Sequence, residues 1–106
     1  MGKLSRTKGH SFEREVARHF QSRWPEARRG LQYRDGGECC DVEGTPYHVE
    51  CKRERRVNVQ NGFNQAIDDA KPGRKPVLVH KSDRGMILVT MEFFDWLSLH
   101  PGNSNA

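Results

Sequence analysis

The most restrictive feature of the sequence is a regular alternation of apolar and polar residues from Tyr47 to Lys52. The apolar positions are Tyr47, Val49 and Cys51, and the polar positions between them are His48, Glu50 and Lys52. A period of two predicts a β-strand that has one face on a core and the other face open. On such a strand, Glu50 and Lys52 lie on the same face.

A turn is predicted directly before this strand, because Gly, Thr and Pro occupy positions 44–46. A short strand at Cys39–Val42 precedes the turn, so Asp41 is expected at the end of that strand, beside the strand that carries Glu50. Two carboxylates and one ammonium group would then meet at one point. An exposed strand face with an ordinary surface ion pair is the alternative, since Glu-x-Lys also occurs by chance.

Length and composition limit the chain to one small domain. The 106 residues include 34% apolar and 30% charged residues, so only a modest core can be buried. So high a share of charged residues in a small chain indicates either a charged binding face or a second subunit. No apolar run reaches the length of a membrane span, and the charged N-terminus lacks the apolar core of a signal peptide. We expect a single domain over residues 1–106, with flexible ends at 1–9 and 100–106, and no membrane partner.

The positive charge is concentrated in the first third of the chain. Residues 1–36 carry nine Lys or Arg against four acidic residues, whereas residues 37–106 carry nine against ten. A basic segment of this kind suits a polyanion, and nucleic acid is the obvious partner. Arg28–Arg34 and Lys52–Arg56 are the candidate phosphate-binding segments. The alternative is a solvated surface whose charge serves solubility.

The three cysteines indicate a reducing, cytoplasmic setting. Cys39 and Cys40 are adjacent, so on a strand they point to opposite faces and make a poor disulfide. A zinc site that combines them with His48 and Cys51 is disfavoured, because no Cys-x2-Cys pair is present and alternation separates His48 from Cys51. A cysteine nucleophile with a histidine partner is equally unsupported, and Cys51 is expected in the core.

The remaining pattern predicts a mixed α/β fold. An apolar residue recurs at every fourth position within His10–Trp24, which predicts a first helix that ends before Pro25. Glu13 lies at the edge of its buried stripe. The other predicted elements are strands at Arg28–Arg34, Cys39–Val42, Tyr47–Lys52, Val77–Val79 and Met86–Thr90, a helix from Asn58 or Asn61 to about Ala70, and a helix at Glu92–Leu99. This order predicts a mixed central β-sheet of about five strands flanked by helices.

Three of these elements also carry predictions about burial. The inner face of the second helix should consist of Phe63, Ala66, Ile67 and Ala70, with Gln65 off that stripe. The uninterrupted apolar run Val77–Val79 should be buried on both faces. In the last helix, one face formed by Phe93, Trp96 and Leu97 should cover the sheet, which leaves Phe94 for a partner.

Several segments resemble one nuclease superfamily when they are taken in order. They are Lys8-Gly9-x-x-x-Glu13-Arg14, Ala27–Tyr33, Asp41, Glu50-Cys51-Lys52, Gln65 and Pro76–Lys81. Together they resemble the PD-(D/E)XK nucleases, and within them the Holliday junction resolvase-like nucleases of the small phage-encoded type, over roughly residues 7–97. Two positions depart from the family pattern: Cys40 stands where Pro is usual, and Cys51 where an aliphatic residue is usual. Neither departure removes a ligand.

The resemblance implies a restriction endonuclease-like core that hydrolyses DNA with Mg²⁺, for which Mn²⁺ would substitute. Asp41, Glu50 and the backbone carbonyl of Cys51 would hold the metal, which suffices because Mg²⁺ prefers oxygen ligands and keeps several waters. Glu13 would hold a second metal or one of its waters. Lys52 would orient the attacking water or stabilise charge on the phosphate, and Gln65 would support Lys52 or contact the phosphate.

The function implied is resolution of Holliday junctions or other branched DNA, in recombination or repair, with no small-molecule substrate. The enzyme would act in the host cytoplasm if it is phage-encoded. The basic residues expected to bind DNA are Lys8, Arg14, Arg28, Arg29, Arg34, Arg53, Arg55, Arg56 and Lys81. A junction needs two nicks related by a two-fold axis, which one small chain cannot make, so a homodimer is expected. The alternatives are a PD-(D/E)XK nuclease acting on ends, flaps or single strands, and a non-catalytic DNA-binding accessory protein.

Overall fold

The structure, a computed structural model, describes residues 3–30 and 40–102, with side chains from residue 9 onward. Its elements are α1 (Lys3–Phe20), β1 (Arg28–Arg29), β2 (Val42–Glu43), β3 (Tyr47–Glu54), α2 (Val59–Asp69), β4 (Lys75–Ser82), β5 (Leu88–Met91) and α3 (Phe93–Ser98). The strands form one five-stranded sheet in the order β1-β2-β3-β4-β5. The prediction of a mixed α/β fold with about five strands and three helices is confirmed.

The sheet is mixed because, of the strands described, only β3 and β4 run parallel. They pair over their whole length, from Tyr47 beside Lys75 to Glu54 beside Ser82, whereas the other neighbouring strands are antiparallel. The chain leaves the end of β3 and must return to the start of β4, so α2 runs antiparallel to both. This crossover lays α2 across the centre of the sheet.

Helices cover both faces of β3 and β4. On one face, residues of α1 pack against residues of both strands in a cluster that includes Phe12, Val16, Ala17, Val49, Cys51, Val77 and Val79. On the other face, α2 packs Phe63 and Ala66 against Leu78. Alternation puts His48, Glu50 and Lys52 on this second face. The expectation that this face of β3 is open is therefore wrong, since the crossover helix covers it. The expectation that Val77–Val79 is buried is confirmed.

α1 begins and ends earlier than the apolar spacing predicted. It starts at Lys3 rather than His10, so residues 3–9, expected as a flexible lead-in, are helical. Gly9 lies inside the helix, where its cost of about 1 kcal/mol does not end it. Trp24 follows the helix but stays packed, with ring centroids 5.7 Å from Phe20 and 5.8 Å from Tyr47. Across the described residues, no helix has both the length and the apolar character to cross a membrane.

The boundaries of β2 and α2 also refine the predictions. β2 begins at Val42, one residue after Asp41, so Asp41 precedes this strand instead of ending it. Of the two candidate caps of α2, Asn58 is used, and its side chain accepts a hydrogen bond from the backbone N–H of Asn61. Ile67, predicted on the inner face, is 49% exposed. α2 meets the sheet through a narrow stripe that leaves Ile67 on its flank.

β5 and α3 lie at the edge of the sheet and are more exposed than predicted. No residue of α3 is buried, so the expectation that Phe93, Trp96 and Leu97 cover the sheet is wrong. α3 is only six residues long, and a single residue, Glu92, separates it from β5. A short helix on so short a connection stays close to the edge strand, where its side chains remain exposed.

The substitution Gly44→Ala is expected to destabilise the protein by about 3 kcal/mol or more. Gly44 has φ of 85°, and a Cβ there would lie 2.3 Å from the backbone carbonyl oxygen of Glu26. Alanine would therefore add a backbone clash to the cost of the left-handed conformation, about 1–2 kcal/mol. Urea unfolding followed by circular dichroism measures the loss.

Gly73→Ala is the matched control for this substitution. Gly73 has φ of 87°, but no atom lies within 4 Å of its Cβ position. Alanine at residue 73 should therefore show only the conformational cost. Equal losses in the two variants would mean that the approach of Glu26 does not constrain the turn.

Candidate active site

The β2–β3 hairpin places Asp41 against the backbone of Cys51. The Asp41 N–H donates to the Val49 carbonyl at 2.8 Å, and the Cys51 N–H donates to Asp41 Oδ2 at 2.8 Å. Asp41 thus continues the hydrogen-bond ladder between β2 and β3. Its carboxyl group takes the place of the backbone carbonyl that would be the next acceptor in the ladder. Since the N–H and C=O of one strand residue point to the same strand edge, the Cys51 carbonyl lies on the edge that Asp41 occupies.

Asp41 and Glu50 form a buried pair of interacting carboxyl groups. Only 7% of Asp41 and 5% of Glu50 is exposed. Burial, and then the charge of Glu50, raises the pKa of Asp41 from 3.8 to about 7, against the opposing hydrogen bond from the Cys51 N–H. A hydrogen bond between the two carboxyls also raises this pKa. Such a pair shares a proton near neutral pH or binds a cation that neutralises both groups.

Glu13 reaches the same cluster from α1. It is buried, and its charge also raises the pKa of Asp41. Glu13 Oε1 accepts a hydrogen bond from Arg29 Nε at 2.9 Å, an ion pair that joins α1 to β1. Arg29, expected to bind DNA, therefore neutralises Glu13 here. Glu13 would have to turn from Arg29 to hold a cation.

His48 belongs to the cluster, although the only role weighed for it from the sequence pattern was in a disfavoured zinc site. It is 2% exposed, and its Nε2 lies 3.0 Å from Glu50 Oε1. The ring nitrogen and the carboxyl group are within hydrogen-bond distance, so His48 fixes the orientation of Glu50. The sequence contained the signal, because His48 and Glu50 share a strand face by alternation.

Lys52 lies on the α2 face of β3, two residues beyond Glu50. Its stem passes beneath α2, because a Cβ on Gly62 would lie 3.5 Å from Lys52 Cγ and 3.0 Å from Leu78 Cδ2. The glycine makes room for the stem, and the half-buried lysine can extend its ammonium group beyond the helix.

Gln65 lies on the exposed flank of α2. Because α2 runs antiparallel to β3, Gln65 follows Gly62 by about one helical turn in the direction of Glu50. It is therefore at the height of the Glu50–Lys52 segment, although on the solvent side of the helix. Its contribution to the site stays a prediction.

The oxygen donors of this cluster are Asp41, Glu50 and the Cys51 carbonyl. Among the residues described, no group of three or more His, Cys, Asp and Glu side chains is arranged to hold a metal ion. The cluster instead offers two carboxylates and a backbone carbonyl, and Mg²⁺ binds through one or two carboxylates while keeping several waters. Burial and then the charge of Glu50 raise the pKa of Asp41, and a divalent cation would relieve the repulsion between the two carboxylates.

No protein-family model, curated protein or solved structure matches this chain. A shared fold would in any case leave the chemistry to individual residues, since one fold hosts many activities. The carboxyl pair and the groups around it are therefore the basis for inferring function.

The thiols near the cluster are structural. Burial raises the pKa of both Cys40 and Cys51, and Cys40 Sγ donates to the Val42 carbonyl at 3.0 Å. Cys51 packs in the α1 core, as expected. A thiol that stays protonated is a poor nucleophile and a poor metal ligand. Cys39 lies outside the described residues.

The basic residues expected to bind DNA fall into two groups. Three arginines are ion-paired within the protein: Arg28 with Glu43 at 3.0 Å, Arg29 with Glu13 at 2.9 Å, and Arg53 with Asp83 at 2.6 Å. Arg14, Arg55 and Arg56 are exposed, and Lys81 is half-buried. The side chains of Lys8 and Arg34 lie outside the described residues. Arg55 and Arg56, just past the end of β3, are the strongest candidates for phosphate contacts.

Proposed function

We propose that the protein is a Mg²⁺-dependent endonuclease that hydrolyses DNA phosphodiesters. The observation that carries the proposal is the buried Asp41–Glu50 pair, in which the pKa of Asp41 rises to about 7, with Lys52 on the same strand as Glu50. Two adjacent buried carboxyls destabilise a fold, so such pairs are typical of sites that bind a cation or move a proton. The resemblance to PD-(D/E)XK nucleases involves these same residues and supports the same function.

Each residue of the cluster has a role in this proposal. Asp41, Glu50 and the Cys51 carbonyl would hold Mg²⁺, which when bound neutralises the phosphate and lowers the pKa of water. Lys52 stabilises the charge that develops on the phosphate as the ester bond breaks. His48 fixes the orientation of Glu50, as outer hydrogen-bond partners do for ligating groups. Glu13 is held by Arg29, so a second cation would have to displace that ion pair.

Branched DNA is the proposed substrate class. Resolution of a four-way junction requires two nicks in strands related by a two-fold axis, whereas each chain has one candidate site. The proposal for branched DNA therefore includes a homodimer, which presents two identical sites across such an axis.

The proposed function is tested with labelled four-way junction, flap, duplex and single-stranded DNA, each incubated with Mg²⁺, Mn²⁺ or EDTA. We expect cleavage with either cation and none in EDTA, fastest on the branched DNAs. Glu50→Gln protein, purified in parallel, controls for a contaminating nuclease. Binding without cleavage would contradict the enzyme and favour a DNA-binding accessory protein. Cleavage of ends, flaps or single strands alone would support the nuclease proposal and contradict the resolvase proposal.

The double substitution of Arg55 and Arg56 by Ala is expected to weaken binding to every DNA. Arg28 and Arg29 are ion-paired with Glu43 and Glu13 within the protein. The exposed Arg55 and Arg56, which follow β3, are therefore the better test of phosphate contacts. Each lost phosphate contact reduces the magnitude of the slope of log K against log salt concentration by about 0.9. We therefore expect that magnitude to decrease by about 1–2 in the double variant. Fluorescence anisotropy over a salt series in EDTA measures it.

The matched control is the double substitution of Lys71 and Lys75 by Ala. Lys71 precedes β4 and Lys75 is its first residue, so both lie at the opposite end of the parallel strands from Arg55. Their substitution removes the same amount of charge. We expect a smaller effect on the salt slope. An equal effect from both variants would mean that Arg55 and Arg56 act only through the general positive charge of the surface and not through specific phosphate contacts.

A further inference from the structure

A buried histidine that has no part in the cluster around Asp41 lies beside Lys52. His80 is 5% exposed, and it is the register partner of Lys52 where β3 and β4 run parallel. Alternation on β4 puts His80 on the same face as Leu78, which packs against α2, and Lys52 lies on that face of β3. Neighbouring strands are about 4.8 Å apart, so the side chains of His80 and Lys52 stand next to each other.

A hydrogen bond to β5 fixes the ring of His80. Its Nε2 lies 2.9 Å from Oγ1 of Thr90. Thr90 is a diagonal neighbour of His80, because the register partner of Thr90 on β4 is Leu78. Burial lowers the pKa of His80, so the ring is neutral at pH 7 and does not repel the ammonium group of Lys52. The lysine therefore has a fixed, uncharged neighbour on its β4 side.

The position of His80 suits support of Lys52 better than contact with DNA or a cation. The ring is too deeply buried to reach a phosphate. Glu50 has Leu78 as its register partner, so His80 lies farther along the strands than the carboxyl pair. Residues 59–66 of α2, which cover this face, include no ionisable side chain, and the neighbours of His80 on β5 are uncharged. Lys52 is therefore the ionisable side chain directly beside the ring.

The stem of Lys52 is enclosed by packing. Gly62 of α2 lies over it, since a Cβ on this glycine would lie 3.5 Å from Lys52 Cγ. His80 stands on the β4 side of the stem, whereas Asp41 lies at the opposite edge of β3, beside Cys51. In the described part of the chain, no ion pair holds the Lys52 ammonium group. The direction of this side chain therefore depends on the groups that pack around its stem.

We propose that His80 is a positioning residue for Lys52. Held by Thr90, its ring closes the β4 side of the lysine stem, so that the ammonium group extends toward the edge of β3 where Asp41 lies. The effect on catalysis rests on the proposed nuclease, whereas the packing of Lys52 does not. Because a displacement of about 1 Å in an active site costs up to about 10²-fold in rate, loss of the ring slows the chemical step and leaves binding unchanged.

His80→Ala is expected to lower the single-turnover cleavage rate at saturating enzyme by about 10–10²-fold. DNA affinity in EDTA and Mg²⁺ affinity should stay close to those of the wild type. His80→Gln keeps an uncharged side chain that can bond to Thr90, and it should restore most of the rate. Val79→Ala is the matched control, because Val79 is equally buried on β4 but packs in the α1 core. This variant should lose stability and keep the rate.

Acylation with acetic anhydride, followed by mass spectrometry of peptides, tests the packing without nuclease activity. His80→Ala should raise the reaction rate of Lys52 severalfold relative to that of Lys75 in the same sample, because the freed stem exposes its amine to solvent. Val79→Ala should leave this ratio unchanged. If the wild type cleaves no DNA, the proposed nuclease is removed, and this ratio alone decides whether His80 positions Lys52.

A His80→Ala protein that cleaves at the wild-type rate, or in which Lys52 reacts as in the wild type, would overturn the proposal. Equal losses of rate in His80→Ala and Val79→Ala would do the same, as would a loss confined to DNA affinity. If His80→Ala fails to fold by circular dichroism, Thr90→Val decides, because it keeps the shape of residue 90 and removes the hydroxyl that holds the ring. It should lower the rate and raise the reactivity of Lys52, and wild-type values of both would count against the positioning role.

Discussion

Asp41→Asn is expected to lose Mg²⁺-dependent cleavage by about 10³-fold or more and to be more stable than the wild type when divalent cations are absent. Burial and the charge of Glu50 raise the pKa of Asp41 from 3.8 to about 7. The folded protein therefore binds more protons than the unfolded chain between these two values. The stabilising protonated form is fully present below about pH 4, and stability falls as the pH rises toward and through 7.

The size of this effect follows from the shift. One pKa unit corresponds to about 1.4 kcal/mol, so ionisation of Asp41 destabilises the cation-free protein by on the order of 4 kcal/mol above neutral pH. Asparagine keeps an acceptor for the Cys51 N–H but cannot ionise. We expect the melting temperature of the variant at pH 8 to rise by about 10 °C or more, since 1 kcal/mol shifts that of a small domain by about 4–8 °C.

Thermal unfolding in EDTA from pH 4 to 9 measures the change, and Mg²⁺ titration at pH 8 provides a second readout. Mg²⁺ should stabilise the wild type, since a cation that binds only the folded state adds to its stability, and should have much less effect on the variant. Asp68→Asn, which removes an exposed acid of α2, is the control and should change neither property. A variant that cleaves normally, or that melts like the wild type at every pH, would remove the proposed site.

Lys52→Met is expected to lower turnover by about 10²–10³-fold while leaving Mg²⁺ binding and DNA binding largely intact. Methionine keeps the apolar stem that packs beneath Gly62, so α2 stays in place, but it removes the ammonium group. In the proposal, Lys52 acts on the charge that develops at the phosphate and is not a ligand of the cation. The loss should therefore appear in the rate of a single turnover at saturating enzyme.

Lys75→Met is the matched control for this prediction, because Lys75 is not among the residues expected to bind DNA. Lys75 lies on β4 beside Tyr47, is half-buried like Lys52, and by alternation points to the other face of the sheet. We expect its turnover to stay close to that of the wild type. Loss of Mg²⁺ binding in Lys52→Met, measured by calorimetry, would instead give the lysine a structural role.

The features that depend on neighbouring residues were mostly predictable from the local sequence pattern. Alternation in Tyr47–Lys52 correctly placed Cys51 in the core and separated it from His48, and the uninterrupted run Val77–Val79 correctly indicated burial on both faces. The cap of α2 was predictable because Asn at a helix start accepts a backbone hydrogen bond. Each of these features depends on residues within a few positions of one another.

The incorrect predictions concern what approaches from elsewhere in the chain. Alternation defines which residues of β3 share a face, but it does not reveal that α2 covers the face of Glu50. The pattern of a helix likewise does not reveal how deeply it packs on a sheet, so α3 was expected to cover a face, whereas none of its residues is buried. The partner of Arg29 lies 16 residues away on another element, and no local pattern predicts such an ion pair.

The compactness of the hairpin has a consequence for how this protein can evolve. The proposed ligands of the cation, the lysine and His48 all lie in the twelve residues from Asp41 to Lys52, whereas α1, α2, β4 and β5 supply support. One or two substitutions in that hairpin would abolish the proposed catalysis and leave the scaffold intact or more stable. Under the proposed function, descendants that have lost the carboxylates would persist as well-folded proteins that bind DNA without cleaving it. Gain or loss of the proposed activity would require little change elsewhere.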